Sequence, residues 1–206
     1  FKNIIISNIK IFKMNSEIYK VLLLSNCPNN VRKSIEKAGD KVEVFNNRLD
    51  KDYIKKNQYD FIVSFGYRYL LGENIIKSVK KASFNLHIGY LPYNKGAHPN
   101  FWSNVESTPS GITIHKIDKG LDTGDIIYQK KISIEKDKHT FASSYKLLIF
   151  EIEKLFSLNW KNLRSNKYQV KKQEIKGSFH KKKDLEKYEK FLIDGWETNI
   201  NFFLKS

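Results

Sequence analysis

Runs of apolar residues alternate with amphipathic stretches along most of this chain. The run KVLLLS at residues 20–25 is typical of a buried strand, and Val31, Ile35 and Ala38 follow at helical spacing until Gly39. Further strands are predicted at residues 42–45, 59–64, 82–86, 111–117 and 126–134, and further helices from Asp50 and over residues 71–79. Strands that alternate with helices predict the α/β class, with a mostly parallel sheet covered by helices on both faces.

The last third of the chain follows a different pattern. Apolar residues recur at intervals of three and four over residues 140–163, which predicts one long amphipathic helix. Beyond it the chain is strongly basic, with a short strand predicted at residues 168–170, a turn at Gly177 and a helix at residues 184–193. We therefore expect a main domain at residues 1–165 and a short C-terminal extension at residues 166–206.

Composition narrows the possible partners. The 206 residues include 37 Lys and Arg against 22 Asp and Glu, a net charge of +15, which favours an anionic partner such as a nucleotide or nucleic acid. The positive charge is spread without a long basic tail, so nucleic acid is the less favoured partner. The apolar runs are strand-sized, which argues against a membrane span.

The inventory of cysteine and histidine excludes further classes of site. Cys27 is the single cysteine, so an intrachain disulfide is impossible, and the reducing cytoplasm is the expected location. The five histidines lack the spacing of known metal motifs, and we expect no metal.

Candidate chemistry lies where predicted strands end. Asn85 and His87 alternate with apolar residues near the end of one strand, so their side chains share a face at the edge where open α/β sheets bind ligands. Asp122 lies in a polar turn between two later strands. An amide that donates to an oxyanion, an imidazole that transfers a proton and a carboxylate that orients it suit acyl transfer to an amine. Motifs for a covalent nucleophile, such as GxSxG, are missing from the sequence, so direct attack by a substrate amine is preferred.

These residues resemble a known family. Asn85-x-His87, Leu91-Pro92, Gly96 and the LDTGDII segment at residues 121–127 resemble, in order and spacing, the formyltransferases that use N10-formyltetrahydrofolate. The resemblance implies a Rossmann-like fold, catalytic roles for Asn85, His87 and Asp122, and no metal. It also implies that the folate is bound by two loops, which contain Tyr67, Arg68, Tyr69 and Leu70, and Ile117, Asp118, Lys119, Gly120 and Leu121.

Within this family the chain is most similar to the sugar N-formyltransferases, at residues 65–68, 96–102, 108–115 and 177–180. That similarity implies a nucleotide-linked amino-dideoxyhexose as acceptor, such as dTDP-4-amino-4,6-dideoxyglucose, a role in O-antigen or other surface glycan synthesis, and a homodimer formed with help from the extension. The loop after the catalytic strand supplies the candidate acceptor-binding residues, namely Tyr90, Asn94, Lys95, Phe101 and Trp102.

Other interpretations stay open. The segment after Arg164 is too short for the RNA-binding barrel of methionyl-tRNA formyltransferases, and SNCPNN at residues 25–30 replaces the glycine-rich phosphate loop of glycinamide ribonucleotide formyltransferases. The alternatives are a formyltransferase for another amine, including methionyl-tRNA, and a non-catalytic basic nucleic-acid-binding module on the same scaffold. His115, inside a predicted strand, is expected to be structural or to lie beside the substrate.

Overall fold

The computed structural model of the chain describes residues 17–26 and 30–206; the lone Cys27 and residues 1–16 lie outside the described part. Helices and strands follow each other along the chain as β1 (Lys20–Ser25), α1 (Asn30–Lys37), β2 (Lys41–Phe45), α2 (Lys51–Asn57), β3 (Phe61–Phe65), α3 (Glu73–Ile76), β4 (Ala82–His87), β5 (Lys95–Gly96), α4 (Pro99–Val105), β6 (Gly111–Lys116), β7 (Ile126–Lys131), α5 (Phe141–Arg164), β8 (Phe179–His180) and α6 (Ile200–Lys205). Two 3-10 helices, Lys182–Phe191 and Gly195–Glu197, lie between β8 and α6.

Six strands form the main sheet in the order β2-β1-β3-β4-β6-β7. The first four are parallel, and β6 and β7 continue the sheet in the antiparallel sense. A second, two-stranded sheet pairs β5 with β8. The prediction of a mostly parallel sheet is confirmed, and the polar turn predicted around Asp122 connects β6 and β7, an antiparallel hairpin at the edge of the sheet.

Alternate residues of each strand face opposite layers of helices. Val21 and Leu23 of β1 pack with Phe84 and Leu86 of β4 against α1 and α5, whereas Leu22 and Leu24 pack on the side of α2. Helices therefore cover both faces, as predicted. Because Phe84 and Leu86 point toward α5, Asn85 and His87 project from the opposite face of the sheet.

A buried polar cluster fixes α5 on the sheet. Asp40, which follows α1, accepts hydrogen bonds from the backbone N–H of Tyr19 at 3.0 Å and from Nε1 of Trp160 at 2.9 Å. Nη1 of Arg164 lies 3.1 Å from the same carboxylate and also donates to the carbonyl of Ala38. The last two turns of α5 are thus attached to the amino-terminal end of the sheet through paired charges.

Several elements differ from their predicted extent. The helix predicted at residues 71–79 is reduced to Glu73–Ile76, and the one predicted at residues 184–193 is the 3-10 helix Lys182–Phe191. The strand predicted at residues 168–170 is missing, and only the adjacent Lys171 forms an isolated bridge, to Ile126. Short apolar runs leave these boundaries weakly determined, because contacts with the rest of the fold decide where hydrogen bonding begins.

The loop placement of Phe101 and Trp102 is wrong, because both lie in helix α4 and are buried at 1% and 3% exposure. They pack with side chains from α5, the longer 3-10 helix and α6, namely Phe141, Leu185, Ile200 and Phe203. The extension therefore contributes side chains to an apolar cluster shared with the main domain.

Candidate active site

Four polar side chains meet on the face of the sheet opposite α5. Asn85 and His87 come from β4, and His115 comes from β6, where the antiparallel register places it directly opposite Asn85. Asp122 enters from the loop that joins β6 to β7. The structure thus brings together the three residues predicted to be catalytic and adds a second histidine.

The carboxylate of Asp122 lies at the centre of this group. It accepts hydrogen bonds from Nδ2 of Asn85 at 3.0 Å and from the backbone N–H of Gly96 at 2.9 Å. Nδ1 of His87 lies 3.6 Å from Oδ2, and Nε2 of His115 lies 3.4 Å from Oδ1. Burial alone would raise the pKa of this carboxyl, but the charge of the His87 ring in its protonated form, the His115 ring and the Gly96 N–H outweigh burial and hold the pKa well below its usual range.

The environment of His87 determines which of its nitrogens is basic. Its ring is buried, and Nε2 lies 3.1 Å from the carbonyl oxygen of Asn94, so in the neutral ring the proton is assigned to Nε2. Gly89 is required beside the ring, because a Cβ there would lie 2.5 Å from Nε2. Burial lowers the pKa of His87 below its ordinary value, although the Asp122 carboxylate opposes that shift. His87 is therefore neutral at neutral pH, with Nδ1 available to accept a proton beside an ionised carboxylate.

The amide of Asn85 is oriented by its two neighbours. Nδ2 donates to Asp122 and lies 3.1 Å from Nε2 of His115, whose Nδ1 lies 2.7 Å from the carbonyl of Lys116. Since that carbonyl requires the proton on Nδ1, Nε2 of His115 accepts from Asn85. Both amide protons are engaged, so donation to an oxyanion requires that one of these two bonds be exchanged for the substrate.

Two polar residues of the site, His115 and Asn94, were named from the sequence, but their contacts there were not predicted. His115 belongs to a strand whose alternation only places it on the polar face, and its pairing with Asn85 depends on register. Asn94 is fully buried, and its Nδ2 donates to Thr108 at 2.8 Å while its carbonyl faces His87. It was predicted to contact the acceptor, and here its side chain and carbonyl bind protein groups.

The two loops predicted to bind folate border one apolar cluster. Tyr67, which follows β3, and Ile117, which follows β6, both pack against the cluster on the α2 side of the sheet. Tyr67 Oη donates to the carbonyl of Asn47 at 2.7 Å. In the first loop Arg68, Tyr69 and Leu70 are exposed. In the second loop Lys119 and Leu121 are exposed.

Asp118 and Gly120, also in the second folate loop, build its turn. Oδ1 of Asp118 accepts hydrogen bonds from the Gly120 N–H at 3.0 Å and from Oγ1 of Thr123 at 2.6 Å. This carboxylate therefore shapes the turn that leads into Asp122.

The remaining candidates for acceptor binding are partly exposed. Tyr90 lies under the ammonium of Lys131, with Nζ 5.3 Å from the ring centroid, and Nζ of Lys95 donates to the carbonyl of Lys176 at 3.4 Å. Trp102 instead stacks on His180, with ring centroids 4.1 Å apart, and its Nε1 finds no hydrogen-bond partner within the described residues. Phe101 and Trp102 thus have packing roles here, and acceptor binding by any of the five residues stays a prediction.

The described residues, 17–26 and 30–206, offer neither a metal-binding cluster nor a membrane-spanning helix. In that range no three acidic, histidine or cysteine side chains cluster in a way that would hold a metal ion. Its helices include none with the length and apolar character needed to cross a bilayer.

Comparison with known proteins places these observations in a family. The formyl transferase profile matches residues 15–157. The crystal structure of the formyltransferase PseJ from Anoxybacillus kamchatkensis, in complex with UDP-4,6-dideoxy-4-formamido-L-AltNAc and tetrahydrofolate, superposes with a TM-score of 0.84 at 43% identity, over 89% of this chain and 97% of that one.

Two curated relatives match over shorter stretches. The bifunctional polymyxin resistance protein ArnA of Wigglesworthia glossinidia brevipalpis is 44% identical over 101 residues, which is 48% of this chain and 15% of ArnA. The dTDP-4-amino-4,6-dideoxyglucose formyltransferase of Mycobacterium tuberculosis is 31% identical over 129 residues, 63% of this chain and 54% of the relative. The chain thus matches about half of the mycobacterial enzyme and a small part of ArnA.

Proposed function

The chain belongs to the formyl transferase family, and we propose that it transfers a formyl group from N10-formyltetrahydrofolate to the amine of a nucleotide-linked amino sugar. The observation that carries the proposal is the buried group of Asn85, His87 and His115 around the Asp122 carboxylate. It occurs in a chain that is 43% identical to a sugar-modifying formyltransferase over nearly all of that enzyme's length.

Similarity to relatives guides the choice of acceptor. PseJ was crystallised with a UDP-linked sugar that carries its formamide at C4, and the mycobacterial relative is named for a dTDP-linked 4-amino sugar. A UDP-linked 4-amino-4,6-dideoxy sugar is therefore the first acceptor to test, and dTDP-4-amino-4,6-dideoxyglucose is the second. The net charge of +15 is compatible with a diphosphate-linked substrate.

The folate is the cosubstrate that supplies the electrophilic formyl carbon. Tyr67 and Ile117 border one apolar cluster on the α2 side of the sheet, the face from which Asn85 and His87 project, so the two loops suit a flat heterocycle with one apolar face. Exposed backbone in the loop of Arg68, Tyr69 and Leu70 would bind its polar edge.

The proposed reaction is direct aminolysis. The acceptor amine attacks the formyl carbon, the bond from that carbon to N10 breaks, and the proton lost by the amine is transferred to N10, which yields the formamide and tetrahydrofolate. Asn85 exchanges one of its present hydrogen bonds for the developing oxyanion. His87 accepts the proton on Nδ1, and Asp122, 3.6 Å away, stabilises the imidazolium until the proton is returned.

The test is a panel of UDP-, dTDP- and GDP-linked 3-amino and 4-amino sugars, with tetrahydrofolate release as the readout. We expect turnover with one 4-amino sugar and its loss in His87→Asn, and we expect Asn85→Ala to lose about 10²–10³ in kcat, as for other oxyanion donors. Folded protein that is silent across the whole panel would overturn the assignment to sugars. Binding to nucleic acid that weakens steeply with salt would then favour the non-catalytic alternative.

A further inference from the structure

Residues 171–180 of the extension, here called the C-terminal strap, contact both loops that complete the site. At one end Lys171 pairs with Ile126, which follows the Asp122 loop, through two backbone hydrogen bonds of 2.8 Å. At the other end β8 pairs with Lys95–Gly96, next to Asn94. One short segment therefore spans the distance between the two loops that face His87.

Gln173 connects the strap to Asp122. Its Nε2 donates to the backbone carbonyls of Asp122 at 2.9 Å and of Gly124 at 2.8 Å. Its Oε1 is buried without a hydrogen-bond partner in the described chain, so these two donations alone orient the amide. The reversed amide would place Oε1 against two carbonyl oxygens, which excludes that orientation.

The backbone at Asp122 requires such support. Its φ of 55° lies in the left-handed region, which costs a residue with a Cβ about 1 kcal/mol. Two residues later the backbone is constrained by space, because a Cβ at Gly124 would lie 1.9 Å from the carbonyl oxygen of Lys116. In the proposed reaction Asn85 exchanges a hydrogen bond and His87 changes charge, so of the groups around the Asp122 carboxylate named as donors only the Gly96 N–H keeps a constant contact. Contacts to the main chain of Asp122 therefore help to fix its position.

We propose that Gln173 is a positioning residue for the reaction, which acts by holding the main chain of Asp122 so that the carboxylate stays beside His87. The proposal rests on the proposed function. It assigns the strap a role in the chemistry that the predicted division at residue 165 did not foresee.

The other half of the strap supports this interpretation. Ser178 Oγ accepts from the Asn94 N–H at 2.8 Å and donates to Oδ1 of the same residue at 3.1 Å, and the Asn94 carbonyl faces His87. Gly177, with φ of 63°, lies so close to Pro92 that a Cβ would be 1.9 Å from its carbonyl oxygen. The strap thus holds backbone on both sides of His87.

The test replaces Gln173 by Met, which keeps the length and removes the donor, and by Asn, which keeps the amide but shortens its reach. The matched control is Asn199→Leu, because Nδ2 of Asn199 also bridges two backbone carbonyls, those of Asp137 at 3.0 Å and His139 at 3.3 Å, in a different part of the extension. Thermal unfolding of all three variants reports any general loss of stability.

We expect both Gln173 variants to lower kcat by about tenfold to a hundredfold, as displacement of a catalytic group by roughly 1 Å does, with KM for both substrates within about twofold. Asn199→Leu should lower the unfolding temperature and leave kcat within about twofold. A Gln173→Met or Gln173→Asn enzyme that keeps its kcat, or a control that loses as much, overturns the proposal.

A second readout needs no turnover. Burial has the largest effect on the pKa of the His87 ring, and the groups that face the ring and also affect its pKa are Asp122, His115 and the Asn94 carbonyl. Displacement of the Asp122 carboxylate removes the attraction that favours the charged ring, so NMR titration of Gln173→Met should find the His87 pKa lower by roughly 0.5–1. An unshifted titration overturns the positioning role even if no sugar is a substrate, whereas a shifted titration in an inactive protein refutes only the proposed function.

Discussion

At the scale of single residues, the site is a set of hydrogen bonds around one buried carboxylate. Asp122 is 7% exposed, and each of its oxygens faces both a hydrogen-bond donor and a histidine. A buried carboxylate with so many partners stays ionised. When the neutral imidazole of His87 gains a proton, its positive charge is therefore paired with the Asp122 carboxylate. This arrangement determines how activity should depend on pH.

We expect kcat/KM to rise with pH along a single acid limb and to level off above it. The limb reports His87, which must be neutral to accept a proton, and burial sets its pKa below the ordinary value of about 6.5. Asp122 titrates far below this range, so it stays ionised throughout. The Asp122 carboxylate attracts the charged His87 ring and so raises its pKa. Asp122→Asn removes that attraction, so the acid limb should move to still lower pH while kcat falls.

The measurement is kcat/KM from pH 5 to 9 at constant ionic strength for wild type and Asp122→Asn. His139→Asn is the control, because His139 contacts Ser143 at 3.0 Å, at the start of α5. An acid limb centred above 6.5, or one that Asp122→Asn leaves in place, would contradict the assignment of Nδ1 as the proton acceptor.

The three central residues could be predicted from sequence, whereas their partners could not. Asn85 and His87 alternate within one strand, and Asp122 lies in a motif, so local pattern suffices for them. The contacts of His115, Asn94 and Gln173 depend on strand register and on where the extension crosses the sheet. Such contacts join residues far apart in sequence, and periodicity carries no information about them.

At the scale of helices and strands, apolar periodicity predicted the sheet and failed at α4. The strands of the core alternate between two helix layers, and α5 carries a continuous stripe, so both gave strong signals. Helix α4 has the sequence PNFWSNV, whose residues are weak helix formers. It is stabilised from outside, where Asn100 Nδ2 donates to the carbonyl of Phe141 at 2.9 Å.

The attachment of α5 should depend on Asp40. Asp40→Ala leaves Arg164 without its buried partner and leaves the N–H groups of Tyr19 and Trp160 without an acceptor, so we expect the free energy of unfolding to fall by about 3–5 kcal/mol. Denaturant titration measures this loss. Asp184→Ala, which removes a cap on the backbone N–H of Lys181, should cost about 0.5–2 kcal/mol. Equal effects of the two substitutions would contradict a special role for the buried cluster.

At the scale of the whole molecule, the extension is bound to the main domain by side chains and by backbone. Phe203 of α6 packs edge-on against Phe101 and Phe141, at centroid distances of 5.4 and 5.3 Å. Thr140, the N-cap of α5, pairs with Asn199 by an isolated bridge. The domain boundary predicted at residue 165 follows a change in composition along the chain. In the structure it runs through the apolar cluster that the main domain and the extension share. The predicted homodimer stays a prediction.

These contacts predict the behaviour of a chain that ends at residue 165. Removing the extension exposes Phe101, Trp102 and Phe141, which pack against it in the full chain. Apolar surface exposed in this way favours aggregation or a loosely packed state. We expect the truncated chain to bind a hydrophobic dye and to lose a cooperative unfolding transition, whereas Phe203→Ala in the full chain should unfold cooperatively with about 3–5 kcal/mol less stability. If the truncated chain instead unfolds sharply near the wild-type temperature and lacks only activity, residues 1–165 form an independent domain, and the extension serves the site alone.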